Sequence, residues 1–308
     1  MNTIISQIKE VFSNANEVLN EQRKEEEKAK LGIARGGSAG AITGKGEALY
    51  TDCGRKAQAR LLGVDSGKSQ SDRAMFEGGF ALENYIEKYL TVSKEVNEGR
   101  LKIKLKKQLE EFFKKAGVEF EKEAELLGKI GEVTVSGRAD FRLTLDSETV
   151  GIEVKSMASP FSTIKQVKNK FPMIKHLVQS CTYMILWGED QWLIAVGNVF
   201  NANERGFKVQ SGLRWYRVYR YDGDPVFFNC ENEQGETIVL PFTANDIVRY
   251  YAQLMQFTKE KSLMPMPTEL ELNIDTYNRC KYCPMEGACN EYELGTLTFD
   301  QWIERNRG

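Results

Sequence analysis

Three ionisable side chains in GRADFRLTLDSETVGIEVKS, residues 137–156, have the types and spacing that phosphodiester chemistry needs. Asp140 stands on one run of alternating polarity; Glu153 and Lys155 stand on the next. Strand side chains alternate between faces, so Glu153 and Lys155 share a face while Ile152 and Val154 point the other way, into a core. LDSETV between the runs reads as a hairpin turn. Pairing of the two strands then sets Asp140 beside Glu153, giving two carboxylates with an ammonium next to them. Hard carboxylate oxygens hold Mg2+ or Mn2+ and leave positions for water and phosphate. Such a metal lowers the pKa of bound water and offsets charge in the transition state. Lys155 is suited to orient the attacking water or to stabilise developing negative charge, and the Val154 carbonyl could add a ligand. E-x-K on a strand is also a common solvated face held by a weak ion pair.

A second ligand set lies in NRCKYCPMEGAC, residues 278–289, where Cys280, Cys283 and Cys289 are spaced C-x2-C-x5-C. A structural zinc or an iron–sulfur centre wants four protein ligands. Of the other cysteines, Cys181 falls inside a helical stretch and Cys230 in a loop-like one, and both read as packing positions. Cys53 differs, because it opens the helical stretch CGRKAQARLLG with Thr51 or Asp52 as N-cap. The helix N-terminus and the charges of Arg55 and Lys56 favour a thiolate there. Four-cysteine sites bind zinc readily, but zinc ribbons pair two C-x2-C knuckles and this chain has one. Four unrelated thiols are the bland alternative.

The elements that must position these groups come from a 308-residue chain, 41% apolar and 28% charged, which can build a sizeable core. A net charge of −2 gives no global signal for nucleic acid or membrane, so any DNA contact must be local. The N-terminal stretch lacks the apolar region of a signal peptide, and no apolar run approaches a membrane span. The expectation is a soluble, intracellular protein with reduced thiols, in which clustered cysteines mean metal. One histidine, His176, excludes His-rich metal sites, and no G-x-S-x-G elbow accompanies it. AGAITGKG fails as a phosphate loop, since Ala39 and Gly46 stand where Gly and Ser or Thr are required.

Residues 1–31 read as a charged helix and the Gly-rich 32–48 as a linker or loop. Residues 49–130 read as mainly helical, with LKKQLEEFFKKAG an amphipathic helix closed by glycine. Strands are expected from 131 onward, at QWLIAVGNV and at GLRWYRVYRY, with helices at 172–187 and at ANDIVRYYAQLMQFTKE. On the first of these helices His176, Gln179 and Tyr183 lie at i, i+3 and i+7, on one face. That face either lines a substrate groove beside Lys155, or Tyr183 packs in the core and His176 bonds locally. LRWYRVYRY alternates Arg214, Arg217 and Arg220 with aromatic residues, as a base-stacking ribbon or an ordinary strand would. Lys165, Lys168, Lys170 and Lys175 form a better phosphate-facing patch.

GRAD…GIEVK resembles the PD-(D/E)xK nuclease core. QSCTY, residues 179–183, resembles the Q-x-x-x-Y motif of its RecB-like branch, and EGGFALENY, 77–85, stands where that branch has Gly-x-x-x-His. Ala139 replaces the motif's Pro without altering a ligand, and Glu83 takes the His position, with Glu77 the next candidate. Cys53 before the core and Cys280, Cys283 and Cys289 after it match the layout of the iron–sulfur members, among them AddB-type subunits and CRISPR-associated exonucleases. The resemblance spans residues 50–290. It implies an α/β fold: a restriction-endonuclease-like mixed β-sheet core flanked by helices, with the N- and C-terminal segments joined by a metal cluster. The corresponding divisions are 1–48, a charged helix and linker; 49–130, a helical region with the first cysteine; 131–260, the nuclease core; and 261–308, the cysteine segment. The implied activity is a metal-dependent DNA exonuclease acting on single-stranded DNA or DNA ends in recombination, repair or CRISPR adaptation. Glu83, Asp140, Glu153 and the Val154 carbonyl would hold Mg2+ or Mn2+, and Lys155 would assist the nucleophile. Gln179, Tyr183 and His176 would position DNA, and the four cysteines would hold a structural 4Fe–4S cluster, or zinc. Implied partners are DNA and a recombination, helicase or CRISPR-adaptation protein, with no membrane. The competing function is a catalytically silent DNA-binding or scaffold module, against which the intact Asp140, Glu153 and Lys155 argue.

Overall fold

A computed structural model of the chain describes residues 32–36, 40–45, 48–50, 53–64, 94–116, 118–145, 148–157, 170–198, 202–204, 207–209, 212–265, 283 and 285–306. The expected N-terminal helix, Glu77, Glu83, Lys165, Lys168 and Cys280 lie outside the described residues.

A seven-stranded mixed sheet forms the centre. In sheet order its strands are β14 (Thr237–Thr243), β13 (Asp224–Asn232), β12 (Gly212–Tyr221), β9 (Gln191–Asn198), β8 (Glu148–Met157), β7 (Phe141–Leu145) and β4 (Glu119–Lys122). Every pair is antiparallel except β8 with β9. Parallel neighbours need a crossover, and α3 (Ile174–Trp187) lies within the β8–β9 connection. A smaller sheet joins β1 (Ala34–Arg35), β6 (Val133–Arg138) and β5 (Glu125–Ile130). β2 (Gly40–Ile42) and β3 (Ala48–Tyr50) make a hairpin, as do β10 (Ala202–Glu204) and β11 (Phe207–Val209).

The α/β class, the mixed sheet and the flanking helices agree with the sequence reading, as do the strands at 191–198 and 212–221 and the helix α4 (Ala244–Lys259). α4 starts at a capping box, in which Thr243 Oγ1 accepts from the Asp246 N–H and Asp246 accepts from the Thr243 N–H. Two expectations are corrected. The Gly-rich 32–48 stretch is not simply a linker or loop, because it supplies β1, β2 and the first residue of β3. Within the stretch read as mainly helical, residues 119–122 and 125–130 are strands. In β5, Glu125, Leu127 and Lys129 are exposed while Ile130 is buried, a half-solvated alternation that the adjacent Leu126 and Leu127 disguise in sequence.

The large sheet is covered on one face by α2 (Lys94–Ala116). Leu109 and Phe113 of α2 are buried against Phe141, Leu143, Val150, Ile152 and Val154. Phe113 meets the Phe141 ring edge-on at 5.5 Å between centroids. The other face packs on α3, which lies between β9 and β12 of the large sheet and β5 of the small one. Ile152 and Val154 therefore pack toward α2, while Lys155 reaches Gln179 of α3. α1 (Gly54–Leu61) joins a separate core with the C-terminal α5 (Glu286–Glu293) and α6 (Phe299–Asn306), built on Ala59, Val64, Leu263, Met285, Phe299 and Trp302.

Candidate active site

The β7–β8 hairpin pairs Phe141 with Ile152, and Asp140 stands just before β7 in a bend, outside the paired strand expected for it from the sequence. Asp140 Oδ2 accepts a hydrogen bond from the Val154 N–H at 2.7 Å, which locks the carboxylate to the opposite strand. Both carboxylates are buried, Asp140 at 4% and Glu153 at 3% exposure. Lys155 Nζ donates to Glu153 Oε1 at 2.7 Å and to Gln179 Oε1 at 2.9 Å, and Gln179 Nε2 donates to the Tyr183 hydroxyl at 3.0 Å. The structure thus links Glu153, Lys155, Gln179 and Tyr183 in one chain of hydrogen bonds, with Asp140 bonded to the Val154 N–H beside it.

Tyr183 is held by glycines. A Cβ on Gly36 would lie 2.7 Å from Tyr183 Cε1, and one on Gly137 would lie 2.6 Å from the same atom. Both positions need a residue without a side chain because the ring fills the space beside each backbone. This is what the Gly-rich stretch and the glycine before Arg138 do. Burial, and then the charge of Glu153, push the Tyr183 hydroxyl up to about 12, so it stays a neutral partner for Gln179. Tyr183 is a core residue that orients Gln179 and is not placed to stack on a base.

Two residues that the sequence reading missed complete the site. Lys102 and Lys106 of α2 fall on the same helical stripe as Leu109 and Phe113, which covers the sheet. Lys102 Nζ lies 2.9 Å from Asp140 Oδ2 and 3.6 Å from Glu153 Oε1. Lys106 Nζ lies 2.5 Å from Asp140 Oδ1 and also pairs with Glu123. Burial opposes ionisation of Asp140, but Lys102 and Lys106 outweigh it and hold the carboxyl below its usual range. For Lys102 burial likewise opposes the charge, yet Glu153 and Asp140 raise its pKa overall. The available signal was two lysines continuing an apolar helical stripe, in a place where solvent-facing residues are not expected.

His176 is buried beside this cation group, and its Nδ1 has no hydrogen-bond partner among the described residues. Burial, then Lys155, Lys175 and Lys102, push its pKa well below the usual 6.5. The unfolded chain takes up a proton near pH 6.5 that the folded chain refuses, so this contribution to stability is complete above that pH and is lost as pH falls below it. The melting temperature should therefore drop between about pH 7 and 5, and His176→Gln should flatten that slope. An unchanged slope in the variant would show that His176 is not the group responsible.

Of the expected basic patch, Lys170 pairs with Glu236 at 2.5 Å, just before β14. β12 runs between β9 and β13, an interior strand, with Tyr216 and Val218 buried, Arg217 bonded to Gln191 and Arg220 to the Pro225 carbonyl. That is the ordinary-strand reading of the Arg/aromatic ribbon. Cys181 and Cys230 are core residues, as expected, but Cys230 lies in the strand β13 and not in a loop.

Among the described residues no group of three or more His, Cys, Asp or Glu is placed to hold one metal ion. Asp140 and Glu153 are a pair, and Glu83 is outside the described residues. The pair nevertheless suits a cation. Glu153 Oε2 is buried with no hydrogen-bond partner among the described residues, and a lysine ammonium already sits between the two carboxylates. Cys53 itself, and not Thr51 or Asp52, is the N-cap of α1, while Cys283 precedes α5 and Cys289 lies buried within it. Arg55, two residues beyond Cys53, donates to the Cys289 carbonyl at 3.5 Å. No helix among the described residues is long and apolar enough to cross a membrane.

No protein-family model matches the sequence, and no curated protein matches it. Among solved structures the chain is similar to the protein SSO0001, with 17% identity, 76% of this chain and 84% of that chain covered, and a TM-score of 0.34. It is similar to the LHK-Exo alkaline exonuclease of Laribacter hongkongensis in complex with dAMP, with 12% identity, coverage of 77% and 95%, and a TM-score of 0.36. It is also similar to a phage-related exonuclease of Haemophilus somnus, with 15% identity, coverage of 66% and 90%, and a TM-score of 0.31. These likenesses are distant, and the functional reading rests on the site itself.

Proposed function

We propose that this chain is a Mg2+- or Mn2+-dependent deoxyribonuclease that degrades DNA from its ends. The observation that supports it is the buried pair Asp140 and Glu153, sharing a cation, with Glu153 Oε2 left unpartnered among the described residues. Two adjacent buried carboxylates are unfavourable together unless a positive charge neutralises them. Asp140, Glu153 and the Val154 carbonyl would hold the metal, with Glu83 as a further ligand. The bound metal would polarise the scissile phosphate and make water a better nucleophile at neutral pH.

The chain's own residues supply the rest. Lys155 is tethered between Glu153 and Gln179, so its ammonium is fixed where negative charge develops. Gln179, held by Tyr183, sets the height of that ammonium above the strand, and His176 stays a neutral neighbour. The restriction to DNA ends, and a recombination, helicase or CRISPR-adaptation partner, follow from the resemblance of GRAD…GIEVK and QSCTY to the RecB-like nucleases. The test is cleavage of end-labelled single- and double-stranded DNA with Mn2+, Mg2+ or EDTA. It reports activity, polarity and strand preference together, and intact substrates under both metals would overturn the reading.

We also propose that Cys53, Cys280, Cys283 and Cys289 bind a structural 4Fe–4S cluster, with zinc as the alternative. The support is that Arg55 ties the helix capped by Cys53 to the helix carrying Cys289. Anaerobically purified protein should be brown with broad visible absorption, and Cys283→Ala should abolish the colour. A colourless protein with stoichiometric zinc overturns the iron–sulfur assignment.

A further inference from the structure

We propose that Lys102 is a built-in competitor of the divalent cation: its ammonium neutralises Asp140 and Glu153 in the metal-free protein and leaves when the metal enters. The inference rests on the metal-site reading of this pair. Among the described residues Lys102 alone reaches both carboxylates, at 2.9 Å from Asp140 Oδ2 and 3.6 Å from Glu153 Oε1. Lys155 bonds only the Glu153 side, and Lys106 only the Asp140 side.

An ammonium is a compact point charge that arranges oxygens around itself much as a small cation does. Two positive charges in one low-dielectric position repel strongly, so ammonium and metal exclude each other. Lys102 is also the one equipped to move. Its side chain is 32% exposed, on a flexible four-carbon stem, whereas Lys106 is 14% exposed and pinned between Asp140 and Glu123. The device keeps two buried carboxylates neutralised and the hairpin closed until metal arrives. The displaced ammonium then stands at the rim, on the solvent side from which a phosphate would approach.

The experiment is Mn2+ binding by electron paramagnetic resonance to wild type, Lys102→Gln and Lys106→Gln, each as the full chain. Lys102→Gln should bind Mn2+ about tenfold tighter or more, the scale of removing one charge-assisted hydrogen bond. Lys106→Gln, which removes an equal charge from the same neighbourhood, should change affinity much less. Equal tightening in both variants means general repulsion and overturns the competitor role. Unchanged affinity in Lys102→Gln overturns it too, while Mn2+ bound by the wild type leaves the metal site standing. No Mn2+ bound by any of the three overturns the metal site and this inference with it. Where Lys102→Gln does not fold, the wild type carries the test: Mn2+ should raise acetylation of Lys102 several-fold over Lys106 by mass spectrometry. Unchanged labelling overturns the proposal.

Discussion

Lys155→Met should lower cleavage of end-labelled DNA by about 10³-fold while leaving Mn2+ binding close to the wild-type value. Methionine keeps an unbranched stem in the groove between β8 and α3 and removes only the ammonium. That ammonium contributes to the transition state, where charge is greatest, more than to the ground state, so its loss falls on the rate. Asp140→Asn should lower cleavage by a similar factor for a different reason. The amide oxygen can still accept from the Val154 N–H at 2.7 Å, so the hairpin holds, but the site loses a charge and binds Mn2+ weakly. The two variants thus separate metal binding from rate. Cleavage at the wild-type rate in both would remove Asp140 and Lys155 from the reaction and place the cleaving groups elsewhere, whereas intact DNA with the wild type itself would favour a silent DNA-binding module.

Arg55→Ala should destabilise the C-terminal core by about 3 kcal/mol, seen as an early thermal transition or rapid proteolysis between residues 262 and 306. Arg55 is 1% exposed and donates to the Met264 carbonyl at 2.6 Å, to the Cys289 carbonyl at 3.5 Å and to Glu293. Removing it leaves buried carbonyls without donors, each a loss of about 1–3 kcal/mol, and opens a hole beside Tyr292. Glu293→Gln is the comparison. Its side chain is 50% exposed, and such ion pairs contribute about 1 kcal/mol or less. A larger loss from Glu293→Gln than from Arg55→Ala would show that the ion pair, and not the buried carbonyl bonds, holds the two ends of the chain together. Gln58 supports the same junction, donating to the Ser262 carbonyl and accepting from the Met264 N–H, so Arg55→Ala weakens the clasp without releasing it.

The carboxylate–lysine set was legible because its geometry is local. A two-residue period places Glu153 with Lys155, and a short hairpin leaves little choice of register, so Asp140 follows. Gln179 and Tyr183 were legible as one face of a helix for the same reason, although spacing alone left Tyr183 open between groove and core. Its place in the core is settled by Gly36 and Gly137, which are far apart in sequence and close in space. The strand at 119–122 was hidden because a half-solvated strand rich in Glu and Lys shares its composition with exposed helix, and that at 125–130 because the adjacent Leu126 and Leu127 disguise its alternation.

By itself, the sequence determined the class of fold, the hairpin with its carboxylates, and the two cysteine-bearing ends, since each depends on short-range periodicity or on residue type. Only the tertiary structure decided what surrounds them. Lys102 and Lys106 look like solvated helix charges until the Leu109–Phe113 stripe docks on the sheet and swings them over Asp140 and Glu153. Arg55 looks like a charge beside the Cys53 thiol until α1 meets the C-terminal segment. Buried charges find partners wherever packing brings elements together, and packing is a property of the whole chain that no local pattern records.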